Sequence, residues 1–473
     1  MLGFRDTDVI DITPGKPTPK SVRPGVTVRS WDINFPWTEE HVRSEDLEKL
    51  RWSCDAAADE ALAAGYTTLE KLLDEGGGGR DTALFKKAMQ VPEWVDWEQI
   101  RRGQDVFYRY AGAFLTALLH QSLLGGFGAG RITEVLARTG GFSVKTARKR
   151  LFETTQHILQ CTRDPDALKP LTGEGWLSTL RVRLLHARVR NKITTLARSN
   201  PSYYDIDKCG IPINDADSIA TIISFSSSIT HLSFPRMFLY LRPQEIEDYF
   251  ALWRLIAFYI GCPTDPFKTA SSSVAWMQSI YAYEINPHPE LSPLLVNNCV
   301  EALRDRPPAY TSAQFTYAQV RWLNGPTLSD QLGVTSDKIG LWYRALSFVQ
   351  FIVVKLWIYT NRSVPSWDMQ KVAILRRILW KVIVEDQTIG LGQPTAFDFV
   401  HVPQFGKMTE AGKGDGEEEL KKIKMEEAWK PKRSVAVLWS IIVMGVLLTM
   451  WVGKDEDIEI SVIHADNPIT VPT

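Results

Sequence analysis

Arg181-Val-Arg183-Leu-Leu-His186-Ala-Arg188-Val-Arg190 is the stretch on which the reading of this chain turns. It holds neither glycine nor proline and is built largely from strong helix formers, so it predicts a helix. Arg183, His186 and Arg190 then stand at i, i+3 and i+7, on one face. A neutral imidazole donates to iron, and guanidiniums about one turn away on either side match a pair of carboxylates. That pattern is a mount for a haem, with His186 on the metal and Arg183 and Arg190 on the two propionates. Two plainer readings compete with it. A single helical histidine is commonly a satisfied core residue, and a basic helix is commonly a solvated or lipid-facing surface.

The composition narrows the classes. With 473 residues, 44% of them hydrophobic and 16 of them tryptophan, the chain can bury a large core. A formal net charge of -1 argues against nucleic acid as a general partner. Cys54, Cys161, Cys209, Cys262 and Cys299 are scattered, odd in number and free of any CxxC pair. That excludes the spacing of a zinc ribbon or an iron–sulfur cluster and argues against a disulfide framework. No HExxH pair is present.

Five segments follow from the pattern. Residues 1–45, with Pro14, Pro17, Pro19 and Pro24, read as an extended arm. Residues 46–400 read as one all-α domain. Its expected helices cover about 46–64, 105–124, 131–139, 143–159, 175–199, 243–260 and 336–360, with a further one capped by Asn214. The 336–360 helix holds Arg344 and Lys355 within an apolar run, so it reads as buried and not as a membrane span. The glycines Gly125, Gly126, Gly128 and Gly130 follow a helix where a dinucleotide fingerprint needs a strand, so they read as a helix stop. Residues 401–433 form a charged linker. Residues 434–452, SVAVLWSIIVMGVLLTMWV, carry no charge and would span about 28 Å as a helix. Residues 453–473 form a short polar tail. Lys430, Lys432 and Arg433 precede the span and Lys454 follows it, which predicts a cytosolic main domain. Arg5, Asp6 and Asp8 leave no secretory signal, so the expectation is a tail anchor in the endoplasmic reticulum membrane. The sequon Asn361-Arg-Ser363 would report the opposite orientation if it were glycosylated.

Further pieces surround the His186 helix. Arg150-Leu-Phe-Glu153-Thr154 sets Arg150 and Thr154 one turn apart, Glu134 lies 16 residues before Arg150, and Gly210-Ile-Pro-Ile-Asn214-Asp-Ala-Asp217 follows. In this order and spacing the pieces resemble the latex-clearing protein family of rubber oxygenases, in particular its fungal membrane-bound branch. The resemblance implies a globin-like helical core with one b-type haem held by a single histidine, here His186. It assigns Arg183 and Arg190 to the flanking arginines, Arg150 and Thr154 to the far side of the pocket, and Glu134 to a base near the substrate. It departs at Glu153, where rubber-cleaving members have a lysine able to approach the iron. The implied activity is an O2-using oxygenase acting on an apolar, unsaturated, isoprenoid or lipid-like small molecule, by cleavage of a C=C bond. A haem-dependent hydroxylase or dehydrogenase, and a haem- or lipid-binding membrane protein without turnover, remain as alternatives.

Overall fold

The Arg181–Arg190 stretch lies inside one long helix, Glu174–Ser199. The structure is a computed structural model that describes residues 9–14, 22–74 and 76–397. The linker, membrane span and tail placed at 401–433, 434–452 and 453–473 lie outside the described residues. All described residues belong to one compact unit.

The His186 helix packs chiefly against Ala56–Ala63, Ala147–Thr162 and Pro243–Ile260, and also touches Leu69–Leu73. Trp176, Leu180, Leu184, Ala187 and Ile193 are buried along it, and so are Arg183 and Arg190. A helix covered on so many sides is no solvated basic surface.

Two buried guanidiniums need counter-charges. Arg183, 1% exposed, donates to both oxygens of Asp55 at 2.6 and 2.7 Å and to the Tyr259 carbonyl at 3.1 Å. Arg190 donates to Asp59 at 2.6 and 2.9 Å and to the Ile213 carbonyl at 3.1 Å. These forked pairs fasten Ala56–Ala63 to the His186 helix. They also bear on a difference from expectation. The single helix expected over 46–64 is two, Ser44–Leu50 and Ala56–Ala63. Asp55 sits at the N-cap of the second but makes no cap hydrogen bond, because its carboxylate is spent on Arg183.

Elsewhere the helical reading holds closely. Pro243–Ile260 has the expected bounds, and Asn214 Oδ1 accepts the Asp217 N–H at 2.9 Å to cap Asp215–Phe225. Helix Trp97–Arg109 lies tightly on Pro243–Ile260. A Cβ on Gly103 would stand 2.3 Å from the Asp248 carbonyl, so only glycine permits that approach.

Three expectations are corrected. The chain is mostly helical but not all-α. Strands Val9–Asp11, Thr27–Ser30 and Ile33–Pro36 form a small sheet, parallel between the first two and antiparallel between the last two. Val28, Phe35 and Trp37 bury against Ala282, so the described part of the N-terminal arm is docked rather than free. The helix expected over 105–124 breaks at Tyr110 into Trp97–Arg109 and Ala111–Ala117, and continues as a π-helical turn, Leu118–Leu123. The helix expected over 336–360 and read as buried is Leu341–Ser363, of which only Ser347, Phe351, Ile358 and Asn361 are buried.

Removing the Asp55 carboxylate leaves Arg183 charged and uncompensated in the core. Asp55→Ala is expected to destabilise the fold by about 3–5 kcal/mol, read as a lower urea midpoint. Asp59→Ala, at a more exposed carboxylate, should cost less.

Candidate active site

A cavity of about 600 Å³ lies among the Ala147–Thr162 and Glu174–Ser199 helices, the π turn Leu118–Leu123 and helix Asp215–Phe225. Its walls are mostly apolar, with Leu119, Ile132, Leu136, Phe142, Ile222 and Ile223 among them. That size and lining suit a cofactor or an apolar small molecule.

His186 lines this cavity. Burial, joined by repulsion from Arg190 and Arg150, pushes its pKa down to about 4, so the imidazole is neutral at physiological pH. Neither ring nitrogen has a hydrogen-bond partner among the described residues. His157, one turn beyond Thr154, does not line the cavity; its Nδ1 is 2.5 Å from Ser178 Oγ.

Arg150 and Thr154 reach the same cavity. Burial lowers the Arg150 pKa to about 10, which still leaves it charged. Thr154 Oγ1 donates to the Arg150 carbonyl at 3.0 Å. Glu153 is buried beside them, with Lys149 Nζ at 3.8 Å, and does not line the cavity.

The structure does not bring the other three expected residues there. Arg183 and Arg190 are absent from the lining and are engaged with Asp55 and Asp59 on another side of the helix. Glu134 is also absent from the lining. Its carboxylate pairs with Arg138, one turn along its own helix, and with His288 Nε2 at 3.2 Å. The cations on the cavity wall are Arg150 and Arg306, among the described residues.

Two residues appear to which the sequence reading assigns no role. His120, on the π turn, lines the cavity, and its Nδ1 is 2.8 Å from the Thr116 carbonyl. A carbonyl can only accept, so Nδ1 carries the proton and Nε2 keeps its lone pair. Burial pushes its pKa to about 4. Asp217, from the motif after Gly210, is a cavity carboxylate whose pKa burial raises to about 6 against the pull of Arg131. Its Oδ1 is shut in without a hydrogen-bond partner. The glycine cluster belongs to this wall as well. A Cβ on Gly125 would collide with Asn324 Oδ1 and the Gln121 carbonyl, so Gly125 answers to packing and not to phosphate binding.

Residues 100–353 match the family described as ER-bound oxygenase mpaB/B′/rubber oxygenase, catalytic domain. The chain belongs to that family. The matched range holds Arg150, His186, Asp217 and the whole π turn. In fold, this oxygenase-family chain is similar to latex clearing protein LCP in its closed state, with a TM-score of 0.52 and 18% identity over 75% of this chain and 95% of that one. At that identity the likeness speaks for the fold. A comparison with curated proteins finds no match.

Asp217 gives the site a pH signature. Its folded pKa stands above the unfolded value, so its ionisation costs stability that is absent below about pH 4 and grows as pH rises through 6. Asp217→Asn is therefore expected to stabilise the fold at pH 7 by at most about 3 kcal/mol, read as a higher urea midpoint, and to leave the midpoint unchanged near pH 4.

Proposed function

We propose that this chain is a haem-dependent, O2-using oxygenase of the ER-bound branch of its family. Its substrate is an apolar unsaturated molecule, an isoprenoid or another lipid-like chain, cleaved at a C=C bond to carbonyl products. One observation carries the reading: His186, a neutral imidazole without a hydrogen-bond partner, on the wall of an apolar cavity that also holds charged Arg150.

The residues present fit a b-type haem. His186 would hold the metal, and Arg150 and Arg306 are the cavity cations its propionates would meet. The haem would supply the O2 and electron chemistry that side chains lack. The chain's own residues supply the rest. Apolar walls exclude water and favour a hydrocarbon. Neutral His120 offers Nε2 as an acceptor. Asp217, with a pKa near neutrality, is the cavity carboxylate suited to take and return a proton, the part expected of Glu134.

The same reading places the protein on the endoplasmic reticulum, tail-anchored through 434–452 with its main domain in the cytosol. A substrate dissolved in the bilayer is best met from its surface. The sequon gives no contrary signal in the folded chain, because Asn361 is buried and donates through Nδ2 to the Trp357 carbonyl at 2.8 Å. Glu153, standing where rubber-cleaving relatives have lysine, favours a second reading in which the same site hydroxylates or dehydrogenates a secondary metabolite.

The test is the visible spectrum of the full chain expressed with haem supply, beside His186→Ala. A Soret band is expected in the parent and absent from a variant with unchanged circular dichroism. A folded, colourless parent would sink the haem reading. Product analysis then separates cleavage, which yields two carbonyl fragments, from hydroxylation, and O2-independent binding alone marks a protein without turnover.

A further inference from the structure

Helix Leu341–Ser363 presents a largely exposed apolar face, of which Phe348 alone meets other rings, those of Phe238 and Trp322. Leu341, Ala345, Phe348, Ile352 and Leu356 stand at i, i+4, i+7, i+11 and i+15, with Trp342 and Val349 beside them. They form one stripe about 22 Å long. Leu341 is 81% exposed, Trp342 66%, Leu356 60%, Val349 48% and Phe348 43%. Large apolar side chains gathered in one stripe mark a contact surface.

Charge says what kind. Between Leu341 and Trp380 the chain has six cations. Arg362, Lys371 and Arg376 pair with Glu245, Asp368 and Asp105, while Arg344, Lys355 and Arg377 have no carboxylate partner among the described residues; the segment itself has one carboxylate, Asp368. That carboxylate is buried against Arg109 and Lys371. This local excess stands in a chain whose net charge is -1. Arg344 and Lys355 stand along one edge of the stripe, at i and i+11. An apolar stripe with a basic edge fits a bilayer surface containing anionic lipid, and fits an apolar protein partner less well.

The helix is long and apolar enough to cross a membrane, but its contacts suit lying along a surface better than crossing it. Both ends are tied into the domain. Arg344 Nη2 donates to the Ser336 carbonyl at 2.9 Å, and Arg362 Nη1 to the Tyr240 carbonyl at 3.1 Å. Its inner face carries Gln350, which lines the cavity and accepts from Gln319 Nε2 at 2.5 Å. The cavity therefore begins one helix diameter, about 10 Å, behind the stripe.

We propose that the Leu341–Leu356 stripe is a membrane-docking surface that lays the cavity against a bilayer containing anionic lipid. It rests on the anchored reading given above, and not on haem. A domain tethered through 434–452 is held at high effective concentration beside the bilayer, so a weak second contact suffices to orient it.

The test uses the full chain bound to vesicles of phosphatidylcholine mixed with phosphatidylserine. Cys54, half-buried, is replaced by serine, the other four cysteines being buried. A nitroxide is then attached at Val349→Cys, at Leu356→Cys, or at the control position Lys49→Cys, which is exposed and outside the stripe. In vesicles, collisions with O2 relative to those with a water-soluble nickel chelate should rise several-fold at 349 and 356 and stay unchanged at 49. Protein that is vesicle-bound with water-exposed labels at 349 and 356 overturns the docking surface and leaves the anchor standing. Labels immobilised before any lipid is added, and unchanged by it, overturn the proposal in favour of a second copy or the 434–452 segment. Protein that stays off the vesicles altogether overturns both. Haem content enters none of these outcomes.

Discussion

The bidentate contact between Arg183 and Asp55, seconded by Arg190 and Asp59, sets the rotation of the helix on which the site is built. A guanidinium removed from water has few tolerable partners, and a carboxylate in fork geometry is the best of them. With both arginines locked to Ala56–Ala63, the helix cannot turn about its axis. Three residues of helix advance the chain about 300°, so His186 stands about 60° round from Arg183, while Arg190 lies within about 20° of it. The clamp faces one neighbour, and the imidazole is left to face the cavity.

That angular difference explains how far the site was legible in the sequence. The spacing of Arg183, His186 and Arg190 correctly placed all three on one side of a helix. It could not tell that a 60° offset separates an ion-pair seam from a cavity wall. The competing carboxylates, Asp55 and Asp59, are about 130 residues away, and no local pattern announces them. Glu134 is a different case. Arg138 stands four residues on, an ordinary i, i+4 partner that is legible in the sequence itself. The helices themselves were readable because periodicity and caps are local, as at Pro243–Ile260 and Asn214. The three strands were not, because each is only three or four residues long and exists by virtue of its neighbours.

One low-dielectric cavity treats its titratable groups differently, and the outcome is useful in each case. Burial disfavours every charge. Histidine begins near neutrality and is driven to the uncharged form, which a metal requires. Arginine begins so high that the same penalty leaves it cationic. Aspartate begins low and is lifted toward neutrality, where it can change state. A site without the apolar walls would lose all three properties together, although no wall residue is itself a reacting group.

The π turn at Leu118–Leu123 has an evolutionary reading. The Leu124 N–H reaches back to the Leu119 carbonyl, five residues away, so this turn contains one residue more than an α-helical turn would. Such a bulge is what a single-codon insertion leaves behind when a helix absorbs it without breaking. Every side chain downstream is swung by about 100° relative to the uninterrupted register. Losing one codon here would restore an ordinary helix at little cost in backbone hydrogen bonds, yet would rotate one side of the turn against the other. His120 lies within that hinge of register, so the orientation of its ring depends on the one residue by which this turn exceeds an α-helical one.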